Sequence, residues 1–207
     1  MADTHKIKDN SFATVLSDLA QAVPPEGLTT GELLKRLGNE GFLILCMVFT
    51  IPFLLPVSIP GSSTPFGLAI ALIGFGLSTG QKPWLPSFIL NRKIDAHSLK
   101  QILDRGSIIF LRIEKLLHVR LSELTKSKSM VRANYVALTV SAILLMFPLP
   151  LPFSNTVPAY GVLFLAVGSL ERDGIMIILG YLLIIIAITY FTGVALVGSI
   201  GFRILFN

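Results

Sequence analysis

Apolar positions near the start of the chain recur at helical spacing: Phe12, Val15, Leu16 and Leu19, until Pro24-Pro25 stops the pattern. A second helix start follows at Thr29-Thr30-Gly31-Glu32. Glu32 stands three residues after Thr29, as in a capping box, and Leu33, Leu34 and Leu37 make one apolar stripe before Gly38, with Lys35 and Arg36 turned away. Beyond residue 40 the period gives way to nearly uninterrupted apolar runs at 41–59, 65–80, 133–151, 157–170 and 174–206. Two of these runs break on a proline-rich polar loop and then resume. The first loop holds Pro56, Ser58, Pro60, Ser62, Ser63, Thr64 and Pro65; the second holds Pro148, Pro150, Pro152, Ser154, Asn155, Thr156 and Pro158.

A straight membrane-spanning helix needs about 20 apolar residues. The pieces on either side of each loop hold nearer 15, which rise only about 22 Å against a hydrocarbon core of about 30 Å. Re-entrant or broken hairpins are expected. Bare backbone cannot face hydrocarbon, so each loop must be sheltered by protein or line a wet cavity. The last run has no charge before Arg203 and fits one long tilted helix or two hinged near Thr192-Gly193, with Gly193, Gly198 and Gly201 each permitting close helix contact.

The two interrupted segments align. An offset of 92 matches Pro56 with Pro148, Pro60 with Pro152, Ser62 with Ser154 and Thr64 with Thr156, and an offset of 94 then matches Gly67 with Gly161, Gly74 with Gly168 and Gly80 with Gly174. Paired, interrupted apolar segments of this kind place a binding site near the repeat interface in many transporters. The expected organisation is therefore N-terminal amphipathic helices over 1–40, lying at or near the membrane surface, a first hairpin repeat over 41–80 and a basic linker over 81–132. A second hairpin repeat over 133–173 and one or two transmembrane segments over 174–207 complete it.

Composition supports a polytopic, all-α membrane protein: 53% of residues are hydrophobic, 14% are charged and the mean hydropathy is +0.75, whereas soluble domains carry about 25% charge. The first ten residues mix charges of both signs and lead into an amphipathic segment, so no signal peptide is expected and the first membrane segment does the targeting. The linker holds eleven Lys or Arg and four Asp or Glu, which by the positive-inside tendency places it in the cytoplasm. Both hairpins then enter from the cytoplasmic side unless part of the linker also crosses. Leu99, Ile102, Leu103, Ile109, Phe110, Ile113, Leu116 and Leu117 form one broad face there, and either the headgroup plane or the membrane domain could receive it. Trp84, Lys100, Arg112, Lys115 and Arg120 are the expected lipid-headgroup contacts, with anionic lipid as partner.

The binding candidates are the loop hydroxyls and amide: Ser58, Ser62, Ser63, Thr64, Ser154, Asn155 and Thr156. Together with carbonyls freed by the prolines, they offer ligands for a cation or a sugar hydroxyl, and they equally suit capping the broken helices. Pro56, Pro60, Pro65, Pro148, Pro150, Pro152 and Pro158 are the structural prolines. No Asp, Glu, His or Lys lies inside an apolar run; Glu40 stands at an entrance and Glu171-Arg172-Asp173 at an exit, where Gly174 suits the turn. This weighs against a proton relay. His5, His97 and His118 are scattered, and Cys46 is the sole cysteine, so neither a metal, a cofactor nor a catalytic pair is expected. The basic linker lacks interleaved aromatics, so nucleic acid is not an expected partner. A homodimer is, because isologous dimers are the commonest oligomers.

The ordered motifs Gly31-Glu32-Leu33-Leu34-Lys35-Arg36-Leu37-Gly38, Pro56-x-x-x-Pro60-Gly61, Pro83-Trp84-Leu85-Pro86, Pro148-x-Pro150-x-x-Ser154-Asn155-Thr156-x-Pro158 and Asp173-Gly174 resemble the ExoD family of bacterial membrane proteins. The resemblance runs from about Ser11 to about Gly180, and departs at Gly76, where many relatives are expected to carry glutamine. It implies association with exopolysaccharide production and, in some bacteria, tolerance of alkaline conditions. It supplies no catalytic residue. The expected role is a non-catalytic accessory to exopolysaccharide synthesis or export, in contact with the polysaccharide-synthesis machinery; the alternative is a small-solute or cation transporter with its site between the two loops.

Overall fold

A computed structural model describes residues 12–54, 63–116, 121, 123–147, 151 and 153–206. The chain divides into two compact units, Met1–Gly38 with Pro86–His118 and Asn39–Leu85 with Val119–Asn207.

In the first unit, α1 (Phe12–Gln21) forms where the sequence places it and buries Phe12, Ala13, Leu16 and Ala20. The turn after it leads to β1 (Leu28–Thr29), which pairs antiparallel with β2 (Lys93–Ile94) through Leu28 opposite Ile94 and Thr29 opposite Lys93. Two-residue strands leave no alternating pattern, so the hydrophobic period gave no sign of them. The capping box opens α2 (Thr30–Thr50): the amide and hydroxyl of Thr29 donate to Glu32 Oε2 at 2.7 and 2.8 Å, and the Glu32 amide donates back to Thr29 Oγ1 at 3.2 Å. Leu34 and Leu37 are buried while Lys35 and Arg36 are exposed. At Gly38 the backbone takes φ 60°, ψ −141°, which breaks the helix where the first unit ends.

After α4 (Ser87–Leu90) comes α5 (Ala96–Leu116), started by Asp95, whose Oδ1 accepts from the Ser98 amide at 2.9 Å. Its apolar face is met by α1, with the rings of Phe12 and Phe110 edge to face at 5.1 Å. Leu99, Leu103 and Phe110 are buried there. Ile102 and Ile109, expected on the same face, are more than half exposed together with Ile108, because one ten-residue helix covers only part of so wide a stripe.

The second unit is built around α7 (Lys128–Met146), reached through the single turn α6 (Glu123–Lys126). It packs against α3 (Ser63–Thr79) and α8 (Thr156–Leu170), and α8 also packs against α9 (Gly174–Phe206). Small residues bring the backbones close, as is common among membrane helices. A Cβ on Gly67 would lie 2.9 Å from the Ala142 carbonyl, and one on Gly74 would lie 2.5 Å from Thr139 Oγ1. One on Gly161 would lie 2.6 Å from Ser141 Oγ.

α9 is one continuous helix of 33 residues, without a hinge at Thr192-Gly193. A Cβ added at Gly193 or Gly198 would meet no other part of the described residues within 4 Å, so neither makes a close helix contact there. Among the described residues, three helical stretches are long and apolar enough to cross a membrane: Thr30–Phe53, which Gly38 interrupts, Lys128–Met146 and Gly174–Ile200. α3 and α8, at 17 and 15 residues, are shorter, rising about 26 and 22 Å.

The joints also differ from expectation in one place. α3 ends with Gly80 at φ 72°, the Gln81 amide donating to the Gly76 carbonyl at 3.0 Å. This is a Schellman ending. α8 ends the same way, with the Asp173 amide donating to the Gly168 carbonyl at 3.0 Å, but the left-handed position falls on Arg172 at φ 55°. Gly174 is instead the first residue of α9, whose start is held by Asp173 Oδ1 accepting from the Ile175 amide at 2.8 Å. The conformational counterpart of Gly80 is therefore Arg172.

Candidate functional site

Each polar loop is framed by helix ends whose prolines are placed where a helix tolerates them. Pro65 and Pro158 are both the third residue of their helices, α3 and α8. First-turn amides have no intrahelical acceptor, so a missing N–H costs nothing there. On the other side of the first loop, α2 runs into a 3₁₀ turn at Ile51–Phe53. Phe49 and Phe53 each pack edge to face on Phe66 of α3, at 5.5 and 5.7 Å.

The ends that flank the two loops interlock. Thr64 Oγ1, at the start of α3, donates to the Met146 carbonyl at the end of α7 at 3.1 Å. The Ile51–Phe53 turn in its turn packs against α8. Residues expected from separate loops thereby belong to one end of one unit.

Among the loop residues, the structure separates those with a structural partner from those without. Thr64 is tied to Met146, and buried Ser154 donates from Oγ to the Leu151 carbonyl at 2.8 Å. Ser63 is fully buried and Asn155 is 7% exposed, yet Ser63 Oγ and Asn155 Oδ1 have no hydrogen-bond partner. Asn155 stands at the N-cap position of α8 but makes no side-chain cap. Buried polar atoms are nearly always paired, so two orphans at matching positions beside the two loops are informative. Thr156 is half-buried at the first position of α8. Ser58, Ser62, Pro56, Pro60, Pro148, Pro150 and Pro152 lie outside the described residues.

The expected headgroup residues are found on surfaces. Trp84 is 69% exposed, and Lys100, Arg112 and Lys115 are exposed on α5; Arg120 lies outside the described residues. Among the described residues, no group of three His, Cys, Asp or Glu side chains gathers as metal ligands.

Two polar groupings escaped the sequence. Asn134, 1% exposed on α7, donates from Nδ2 to the Leu124 carbonyl at 2.8 Å and accepts from the Tyr181 hydroxyl at 3.0 Å. An amide inside an apolar run is the signal the sequence holds for it. The entrance residue Glu40 and the exit residue Arg172, treated separately in the sequence, are within electrostatic reach of one another. Positions 132 residues apart leave no trace of such a pairing in hydrophobic periodicity. Gly76 is explained by its surroundings, since a Cβ there would stand 2.6 Å from Pro83 Cα.

A family model described as "Exopolysaccharide synthesis, ExoD" matches residues 12–193. The chain belongs to the ExoD family. Among curated relatives, Protein ExoD of Rhizobium meliloti (strain 1021) is 38% identical over 182 residues, which cover 87% of this chain and 76% of that protein. An uncharacterized protein of Synechocystis sp. is 27% identical over 161 residues, covering 73% and 75% respectively. No solved structure matches significantly. ExoD membership associates the chain with exopolysaccharide synthesis, and its long apolar helices suggest a membrane protein.

Proposed function

We propose that this ExoD-family chain is a multi-pass inner-membrane protein that serves exopolysaccharide synthesis or export without catalysis, holding a polar ligand at the two proline-rich loops. The observation that carries this reading is the orphaned pair, Ser63 Oγ and Asn155 Oδ1. An unpaired buried polar group costs about 1–3 kcal/mol, and ligand hydroxyls that donate to Asn155 Oδ1 and donate to or accept from Ser63 Oγ remove that cost. Sugar hydroxyls have this chemistry, on a lipid-linked precursor or on the polymer. The two hairpins act as counterparts, and the 81–132 linker faces the cytoplasm, where anionic lipid and the synthesis machinery are its partners.

Bilayer placement is supported by the apolar side chains that α7 and α9 leave uncovered. Val136, Ile143, Leu182, Ile185, Ile186 and Val197 are all between 45% and 72% exposed. Exposed apolar side chains on helices of this length suit contact with acyl chains.

Reconstitution in vesicles with a pH- or sodium-sensitive dye separates this role from transport. No flux is expected, together with loss of polymer in cells whose chain carries alanine at Ser62, Ser63, Thr64, Ser154, Asn155 and Thr156. Flux that disappears with the same substitutions assigns a cation or small-solute transporter instead. Linker placement is checked separately with Ser127→Cys in a Cys46→Ala background. An impermeant thiol reagent should leave Ser127→Cys unlabelled in intact cells, and ready labelling overturns the cytoplasmic assignment.

A further inference from the structure

The last turn of α3, the first two turns of α7 and Lys126 of α6 border an open pocket of about 440 Å³. Its cationic lining comes from Lys126, Lys128 and Arg132, with Ser78, Thr79, Ser129 and Tyr135 supplying neutral polar groups, and no carboxylate is among the described lining residues, although Glu40 lies within electrostatic reach of Tyr135. Arg132 is held in place by its Nε, which donates to the Ser78 carbonyl at 2.6 Å. Ser127, at the N-cap of α7, makes no side-chain cap. The first-turn amides of a helix carry partial positive charge and favour anions. Three cations therefore line one opening beside the start of α7.

A second cavity, of about 610 Å³, shares Ser129 and Arg132 with the first and continues along α7 past Val136 to Val140, walled on the other side by Tyr181 and Ile184 of α9. Beyond Arg132 its lining is apolar apart from the Tyr181 hydroxyl, which is engaged by Asn134. From Ser129 to Val140 the groove follows α7 for about 16 Å at 1.5 Å per residue. That is about half the thickness of a hydrocarbon core of about 30 Å, the depth of one leaflet.

We infer that these adjoining pockets bind one anionic, phosphate-bearing membrane lipid, its phosphate among Lys126, Lys128 and Arg132 and its chain in the groove between α7 and α9. Charge complementarity selects the headgroup. A phosphate oxygen accepts from the ammonium and guanidinium groups, as basic pockets beside membrane helices accept anionic headgroups elsewhere. The groove selects a lipid over a free anion. None of the described loop residues belongs to this lining, so the site stands whether or not the loops hold a sugar, although it rests on the proposed bilayer placement.

The test uses the full chain in detergent micelles, with phosphatidylglycerol titrated and bound lipid counted by native mass spectrometry. Phosphatidylcholine and inorganic phosphate are the comparison probes. Lys126→Gln/Lys128→Gln changes two exposed side chains, and Val136→Trp fills the groove from an exposed position. One phosphatidylglycerol per chain is expected, weakened about tenfold or more by either variant, with phosphatidylcholine binding weakly and millimolar phosphate failing to displace it. Equal binding of the two lipids, or wild-type affinity in both variants, overturns the site. Full displacement by inorganic phosphate overturns the groove's part in it. Release of the protein from membranes by alkaline carbonate would instead overturn the bilayer placement, a separate outcome from loss of lipid selectivity.

Discussion

The hydroxyl of Tyr181 on α9 donates to Oδ1 of Asn134 on α7 across 3.0 Å, and Asn134 passes the connection on to the Leu124 carbonyl. One buried amide thus ties α9, α7 and α6 together at the end of the unit opposite Met146. Hydrogen bonds between membrane helices are worth about 0.6 kcal/mol on average and about 1.7 at most. Tyr181→Phe should therefore lower stability in detergent by about that range, since it leaves Oδ1 without its donor. Asn134→Ala should cost more, because it also strands the Leu124 carbonyl. Thermal unfolding of the two variants and their combination checks the coupling, and additive losses would show that the three groups do not act as one network.

Glycine conformation gives a paired expectation of opposite signs. Gly80 sits at φ 72° with nothing within 4 Å, so Gly80→Ala has room but adopts a left-handed backbone, costing about 1 kcal/mol. Gly193 lies inside α9, also with open space around it. Gly193→Ala should stabilise by up to about 1 kcal/mol through helix propensity alone. Unfolding midpoints that move in the same direction for both would contradict the backbone assignment.

Close approach at α7 makes a further expectation. A methyl group at Gly161 would press on Ser141 Oγ, which donates to the Pro158 carbonyl at 2.8 Å. Gly161→Ala should cost about 1–3 kcal/mol by overpacking, and Gly76→Gln should destabilise for the same reason against Pro83. A crosslink between α7 and α8 that forms less readily in Gly161→Ala would report the same separation directly.

Much of this was legible in the chain. The capping box at Thr29 and Glu32, the α1 stripe and the apolar runs that became α3, α7, α8 and α9 all follow from local signals that depend on a few neighbouring residues. What stayed hidden depends on distant ones. The bond from Thr64 to Met146, the partners of Asn134 and the cations gathered around Arg132 are set by how helices pack, which periodicity does not encode. Arg172 shows a subtler limit, since a left-handed residue other than glycine is held there by the two flanking helices. The sequence favoured Gly174 for that turn because glycine is the usual solution.

Acid should act on the start of α5. Hydrogen bonds from Ser98 hold the Asp95 carboxyl below the usual carboxylate range. The folded value then lies under the unfolded one of about 3.9, so the contribution of this cap is complete above that pH and is lost as pH falls through the folded value. The amide resonance of Ser98 should shift with the Asp95 titration below about pH 4, and Asp95→Asn should abolish the shift. An unchanged Ser98 amide across that range would mean that the cap is not formed.

The most direct measurement of the loop site joins stability to function in Ser63→Ala/Asn155→Ala. If the two orphaned oxygens are kept for a ligand, their removal relieves desolvated polar groups worth about 1–3 kcal/mol each, so the purified variant should unfold no lower than wild type. Cells relying on that variant should nevertheless lose exopolysaccharide at normal protein levels in the membrane. A variant that unfolds earlier, or one that supports full polymer yield, would contradict the site.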